Sequence, residues 1–271
     1  MPRYAVIDKT VGETPLHALE RYRQTSEALA AVPLAYAGRL DPMASGKLLI
    51  LIGDECKRQK EYHGLDKEYR FEVLFGVGSD TGDVLGRLTY RSNPPEIDVA
   101  DIERVTRSLS GTTPSLPYPK FSAKTVRGKP LHMWTLEGRL DEIEIPTATT
   151  TLYKLTCTGV RSVPATTIAE EVRAKIDTLP VVTDPRKALG EDFRREKVLA
   201  DWQRFEEEAG EHEYQVASYT CIASSGTYMR SLAEHIGDRF GVPALAYSIH
   251  RTKIGRYIPL LSGFGFWRRL Y

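Results

Sequence analysis

Residues 36–57 read YAGRLDPMASGKLLILIGDECK. One acid, Asp41, stands in a turn stiffened by Pro42 and flanked by Gly38 and Gly46. The aliphatic run Leu48 to Ile52 follows and reads as a buried strand. An Asp-Pro in an arbitrary loop is usually only a turn residue. Here Leu40 and the aliphatic run draw the loop onto the core, and the two glycines let a ligand approach the backbone closely. A carboxylate fixed in a stiff loop at the mouth of a buried strand is a common way of presenting a reactive group. A partly desolvated one is a better nucleophile when a cation keeps it ionised.

Working outward, Tyr4 to Ile7 reads as a strand, and Thr14 caps a helix with Pro15 at its first position. Asp54 is placed to cap a short helix carrying Lys57, Arg58 and Lys60. Tyr69 to Phe75 alternates with the period of a strand that has one buried face, and residues 78–86 form a turn-rich loop. A helix is expected over 98–110, with Val99, Ile102, Val105 and Leu109 inward and Gly111 as its stop. A Pro-rich loop, 112–121, and a helix over 130–137 follow. Strands are expected over 144–159, 214–223 and 244–254, and a helix over 226–240. Between the first two of these strands, residues 161–213 are mostly helical in pattern, with an apolar stripe of Phe193, Val198, Trp202, Phe205 and Ala209, and read as an insertion. Strands and helices without regular βαβ alternation predict an α+β fold on a mixed or antiparallel sheet.

The bulk numbers exclude several classes. With 271 residues, 41% hydrophobic, 27% charged and a net charge of +1, the chain is an ordinary globular protein and not an indiscriminate polycation. Its charge is uneven. Residues 219–271 carry seven basic side chains (Arg230, Arg239, Arg251, Lys253, Arg256, Arg268, Arg269) against two acids (Glu234, Asp238). Residues 161–213 carry nine basic against thirteen acidic ones. A basic end suits a partner bearing phosphate. The acidic insertion is poorly suited to one, and points to packing or a protein contact. Three scattered cysteines, Cys56, Cys157 and Cys221, read as reduced thiols with neither a disulfide framework nor a zinc site. With no signal-peptide core and no membrane-spanning run, the expectation is a cytoplasmic protein.

Other stretches can carry chemistry. Lys67, Tyr69 and Phe71 share one face of a strand by alternation. Asp80-Thr-Gly-Asp83 is a turn with two acids, lacking the full calcium-loop pattern. Residues 225–232, SGTYMRSL, follow a strand and open a helix, which sets Arg230 about one turn inside it. An Arg so placed is usually an exposed helical residue.

The 38–46 string closely resembles the Gly-x-Leu-Asp-Pro-x-Ala-Ser/Thr-Gly motif of the TruB family of tRNA pseudouridine synthases. Five further stretches resemble that family in order: residues 9–15 (KTVGETP), the Lys67-x-Tyr69 pair, residues 121–128 (FSAKTVRG), the Gly226-Thr-Tyr-Met-Arg230-Ser box and Ile249-His-Arg251. Together the matches cover most of residues 4–160 and 214–257. The resemblance implies a pseudouridine-synthase-like α+β fold: a mixed, mainly antiparallel sheet flanked by helices, as one catalytic domain over 1–271 with a helical insertion over 161–213. It implies isomerisation of the T-loop uridine of tRNA (position 55) to pseudouridine, with Asp41 as nucleophile. Tyr69 stacks on the flipped base and joins in proton transfer, and Arg230 pairs with Asp41. Asp83, Ile249 and Lys67 support these three. Lys9, Tyr36, Arg39, Lys124 and Arg251 fall where RNA contacts are expected. No cofactor or metal is implied, and the expected partner is the T-arm of tRNA, bound by a monomer.

The chain departs from the family's pattern at Tyr36, where a His is usual, and at His250, where an Arg is. Its insertion is long, and residues 262–271 are too few for the RNA-binding PUA domain that many members carry. The alternative reading is an RNA-binding or tRNA-folding protein that keeps the fold without turnover; intact Asp41, Tyr69 and Arg230 favour the enzyme.

Overall fold

The computed structural model describes residues 2–182, 191–260 and 264–271, without the side chains of Glu191 and Phe193. Its strands in chain order are β1 (Tyr4–Lys9), β2 (Leu34–Ala37), β3 (Ala44–Ile52), β4 (Asp66–Phe75), β5 (Val77–Ser79), β6 (Leu88–Tyr90), β7 (Ser115–Pro117), β8 (Thr125–Val126), β9 (Lys129–Pro130), β10 (Thr147–Thr149), β11 (Leu152–Pro164), β12 (Glu213–Ala223), β13 (Ala244–Pro259) and β14 (Gly265–Leu270). The helices are α1 (Pro15–Arg23), α2 (Gln59–His63), α3 (Val99–Leu109), α4 (Leu131–Leu136), α5 (Ala165–Asp177), α6 (Glu191–Ala209) and α7 (Met229–Asp238). The main sheet runs β1-β3-β13-β4-β12-β11, with β2 added on β3 and β14 on β13. The β3–β13 pair is parallel and the other pairs are antiparallel, so the fold is the expected α+β type on a mixed, mainly antiparallel sheet.

Alternation along the central strands sorts the core into two layers. Tyr69, Phe71, Val73 and Phe75 of β4 and Ala217, Tyr219, Cys221 and Ala223 of β12 meet α3 and α7 on the front face. On the back, Leu74, Tyr214, Val216, Leu245 and Tyr247 meet Ile168, Val172, Val198, Trp202 and Phe205 of α5 and α6. The two helices between β11 and β12 therefore cover the apolar end of the sheet's back. Phe193, expected in the stripe of α6, lies outside the described side chains, as do residues 183–190 of the expected insertion and Ser262 of the tail.

Thr14 caps α1 through a 3.1 Å bond from the His17 N–H, as the sequence predicts. Several local expectations are corrected. Asp54 caps nothing: a 3₁₀ turn over Gly53–Arg58 starts one residue earlier, with its acids inside the first turn. Val99 is 47% exposed, because a side chain in the first turn of α3 has packing neighbours on one side only. The helix after Gly226 begins at Met229, so Arg230 is its second residue and lies at its N-terminus. β13 runs on to Pro259, and β14 forms an edge strand whose mixed apolar and basic sequence shows no alternation. Among the described residues no helix is long and apolar enough to cross a membrane.

Candidate active site

Asp41 sits in the crossing from β2 to β3, at the front end of the parallel β3–β13 pair. The turn is closed by a 3.0 Å bond from Ala44 N–H to the Asp41 carbonyl, and by a 2.9 Å bond from Gly12 N–H to the Pro42 carbonyl. Two buried cations hold it from the strand side. Lys9 Nζ donates to the carbonyls of Thr10, Glu13 and Pro42 at 2.9, 2.7 and 3.3 Å. Arg251 donates from Nε to Lys47 O at 2.7 Å, and reaches Arg39 O and Gly38 O at 3.2 and 3.4 Å. Both are 1% exposed. Burial lowers the Lys9 ammonium to about 8. The three donors of Lys9 are thus spent on the protein's own backbone, whereas Arg251 commits three of its five N–H groups there and also borders the cavity described below. Gly46, opposite Arg251, has φ +101, and a Cβ there would stand 2.2 Å from the Arg251 carbonyl.

The helix side supplies the carboxylate's partner. Arg230, 5% exposed, brings Nε to 2.8 Å from Asp41 Oδ2 and 3.8 Å from Asp83 Oδ2. The Nε–H does not point along the line to either oxygen, so the short contact is an ion pair and not an aligned hydrogen bond. Nη1 donates to Thr81 O at 2.9 Å and reaches Phe121 O at 3.4 Å. Burial works to lower the Arg230 pKa, but the two carboxylates outweigh it and raise it. Asp83 is held in turn by the Thr81 hydroxyl at 2.7 Å and the Leu85 N–H at 3.0 Å. Burial pushes its carboxyl upward against the pull of Arg230.

These groups border a cavity of about 880 Å³. Asp41, Tyr69, Arg230, Lys67, Ile249 and Arg251 line it, with Tyr36, Arg39 and Lys124. Burial raises the Tyr69 phenol, which keeps its proton at neutral pH. It also lowers the Lys67 ammonium to about 8, helped by the charge of Arg251; Lys67 Nζ donates to the Leu65 carbonyl. Arg39 and Lys124 are exposed, with the Lys124 ammonium 4.8 Å from the centre of the Tyr118 ring. Tyr36 is half-buried and turns its backbone carbonyl to the Gln59 amide at 2.8 Å. Lys9 does not line the cavity.

Sequence reasoning missed part of the wall. Tyr118 and Tyr228 meet edge to face with centroids 5.6 Å apart, and His132, Gln59 and His63 also line the cavity. Two aromatics in a Pro-rich loop and beside a Gly-Thr turn were the available signal. Among the described residues no three His, Cys, Asp or Glu are grouped to hold a metal ion. The arrangement offers a charge-paired carboxylate beside a buried aromatic hydroxyl, at the floor of a cavity with exposed cations at its rim.

The family model of the TruB pseudouridylate synthase N-terminal domain matches residues 27–178. The chain is similar to a tRNA pseudouridine synthase B of Bordetella avium, 27% identical over 257 residues, 93% of this chain and 80% of that protein. A protein of the same name from Syntrophus aciditrophicus is 27% identical over 250 residues, 92% of this chain but 61% of that relative's length. In fold the chain is similar to one in the crystal structure of a Cbf5–Nop10–Gar1 complex, with TM-score 0.54 and 16% identity over 93% of this chain and 49% of that one.

Proposed function

The chain belongs to the TruB family of pseudouridylate synthases, and from that premise we propose that it isomerises the T-loop uridine of tRNA (position 55) to pseudouridine, as a cytoplasmic monomer, with Asp41 as nucleophile. The observation that carries this reading is the Asp41–Arg230 ion pair, 2.8 Å on the floor of a cavity that Tyr69 also lines. A uridine stacked in RNA cannot turn its ring over, so the base is first drawn out of its stack. Stacking on Tyr69 returns roughly 1–3 kcal/mol of that cost. Asp41 forms a covalent bond to the nucleoside and the N-glycosidic bond breaks. The uracil turns within the pocket and rejoins the ribose through C5 while the bond to Asp41 breaks and frees its carboxylate; the C5 proton then passes to the Tyr69 hydroxyl as that hydroxyl gives up its own proton, and N1 ends protonated in place of C5. The net reaction neither oxidises nor hydrolyses, so it calls for no redox partner.

Arg230 aims the Asp41 carboxylate, and Asp83 holds Arg230. Arg39 and Lys124 at the rim take phosphates, which position RNA without reading its sequence. Lys67, Ile249 and Tyr36 shape the pocket. The test is incubation with unmodified tRNA followed by mapping of pseudouridine, with Asp41→Asn as control. The native protein should place pseudouridine at position 55, and Asp41→Asn should lose at least about four orders of magnitude in rate. Tight tRNA binding by the native protein without product would instead identify an RNA-folding protein.

A further inference from the structure

The helices between β11 and β12 do more than cover the sheet. Arg194, in the first turn of α6, leaves the back layer and reaches the front. Its guanidinium grips Asp80 through both oxygens, Nη1 to Oδ2 at 2.6 Å and Nη2 to Oδ1 at 3.1 Å, and lies 4.3 Å from the centre of the Phe121 ring. Asp80 adjoins Thr81, and both the Thr81 and the Phe121 carbonyls accept from Arg230 Nη1. Two separate segments thus each make one contact with Arg194 and one with Arg230. We propose that Arg194 is a positioning residue for the reaction: it ties the 80–83 turn to the Phe121 segment, and so fixes the direction in which Arg230 presents its charge to Asp41. The proposal rests on the isomerase reading above.

The rest of α6 supports that turn from behind. Asp201 takes a bidentate bond from Arg87, and the Trp202 indole N–H donates to the Val84 carbonyl at 3.0 Å. These contacts stiffen the turn, but only Arg194 also touches Phe121 among the cation–ring contacts of the described residues. A planar fork can pair a carboxylate edge-on while its face lies on a ring, which an ammonium cannot reproduce. Charge alone therefore does not fill the role. Arg194 is 17% exposed in its side chain and does not line the cavity, so it acts through Arg230 and not on RNA.

The test compares Arg194→Ala, Arg194→Lys and Asp80→Asn with the native protein in single-turnover reactions on unmodified tRNA. The same proteins are examined for the Arg230 side-chain Nε–H resonance in a nitrogen-15 spectrum. The expected result is a chemical rate down about ten- to a hundredfold in Arg194→Ala, with little recovery in Arg194→Lys. Affinity for tRNA should stay within about threefold, and the Arg230 resonance should shift in all three variants. The double variant Arg194→Ala/Asp80→Asn should lose no more rate than the worse single one. A native rate in Arg194→Ala, full rescue by Arg194→Lys, or a lost rate with an unmoved Arg230 resonance would each overturn the proposal. If the native protein itself forms no pseudouridine, the isomerase reading fails. The resonance then decides whether Arg194 orients Arg230: a shift upholds that placement and its absence refutes it.

Discussion

The Asp41 loop is held from two sides by buried arginines that act on different things. On the strand side, Arg251 donates to the carbonyls of Gly38, Arg39 and Lys47 and governs the path of the backbone. On the helix side, Arg230 stands against the carboxylates of Asp41 and Asp83 and bears on the direction of one side chain. A guanidinium surrounded by carbonyl dipoles is a structural clamp, whereas one facing a carboxylate at a cavity floor is placed to act on whatever enters, the role proposed for Arg230. The residue type is the same in both places; the acceptor decides the role.

Replacing each arginine is the most direct way to break this distinction. Arg230→Ala should reduce the chemical step by about 10²–10³-fold, as loss of a preorganised charge partner does, while tRNA binding falls little. Arg251→Ala should act first on stability, by about 3 kcal/mol, since it strips several charge-assisted bonds from a buried loop. Thermal unfolding and single-turnover rates on the same two proteins separate the effects. A stability loss confined to Arg230→Ala, with the rate loss confined to Arg251→Ala, would reverse the comparison.

A smaller effect is expected at Gly46, which touches only the strand-side clamp. Its φ of +101 and the 2.2 Å approach of a Cβ to the Arg251 carbonyl make Gly46→Ala destabilising, by about 1–3 kcal/mol, with the rate following only as the loop loosens. Denaturant unfolding measures this, and an unchanged midpoint would show that β13 can yield there.

A pH dependence, confined to alkaline solution, is also expected on the strand side. Burial lowers the Lys67 ammonium to about 8 from its usual 10.5. Between those values the unfolded chain binds more protons than the folded one, so stability from this group rises with pH over that window. Below it, the burial penalty is constant. The stability difference between the native protein and Lys67→Met should therefore be flat below pH 8 and move in favour of the native protein above it. Unfolding midpoints at a series of pH values check this; no slope would place Lys67 in a solvated site, and a slope of opposite sign beside an anion.

The elements around Asp41 were legible because each rests on a local rule: Pro and Gly in the loop, the aliphatic run of β3, the alternation of β4, the Thr14 cap. The stripe Val198, Trp202, Phe205 and Ala209 was legible for the same reason, and all four are buried. The roles of cations were less legible, since a sequence records a charge but not the acceptor it meets. The inward position of Arg251 was legible, two residues from Ile249 on one strand, but the carbonyls it meets were not. Lys9 has no such signal; its three carbonyl partners come together only when the turn after β1 meets Pro42. Arg194 contacts residues 73 and 114 positions away, a pairing that no local pattern encodes.

The parallel pairing of β3 with β13 also has a consequence for synthesis. Arg251 and Lys47, which it bonds, are separated by 204 positions, and β13 lies between β3 and β4 in the sheet. The 36–57 stretch leaves the ribosome about two hundred residues before the strand that fixes it. A nascent chain that stops before residue 251 carries the whole Asp41 motif with its clamp missing. The order of the Asp41 loop is thus withheld until β13 has been made.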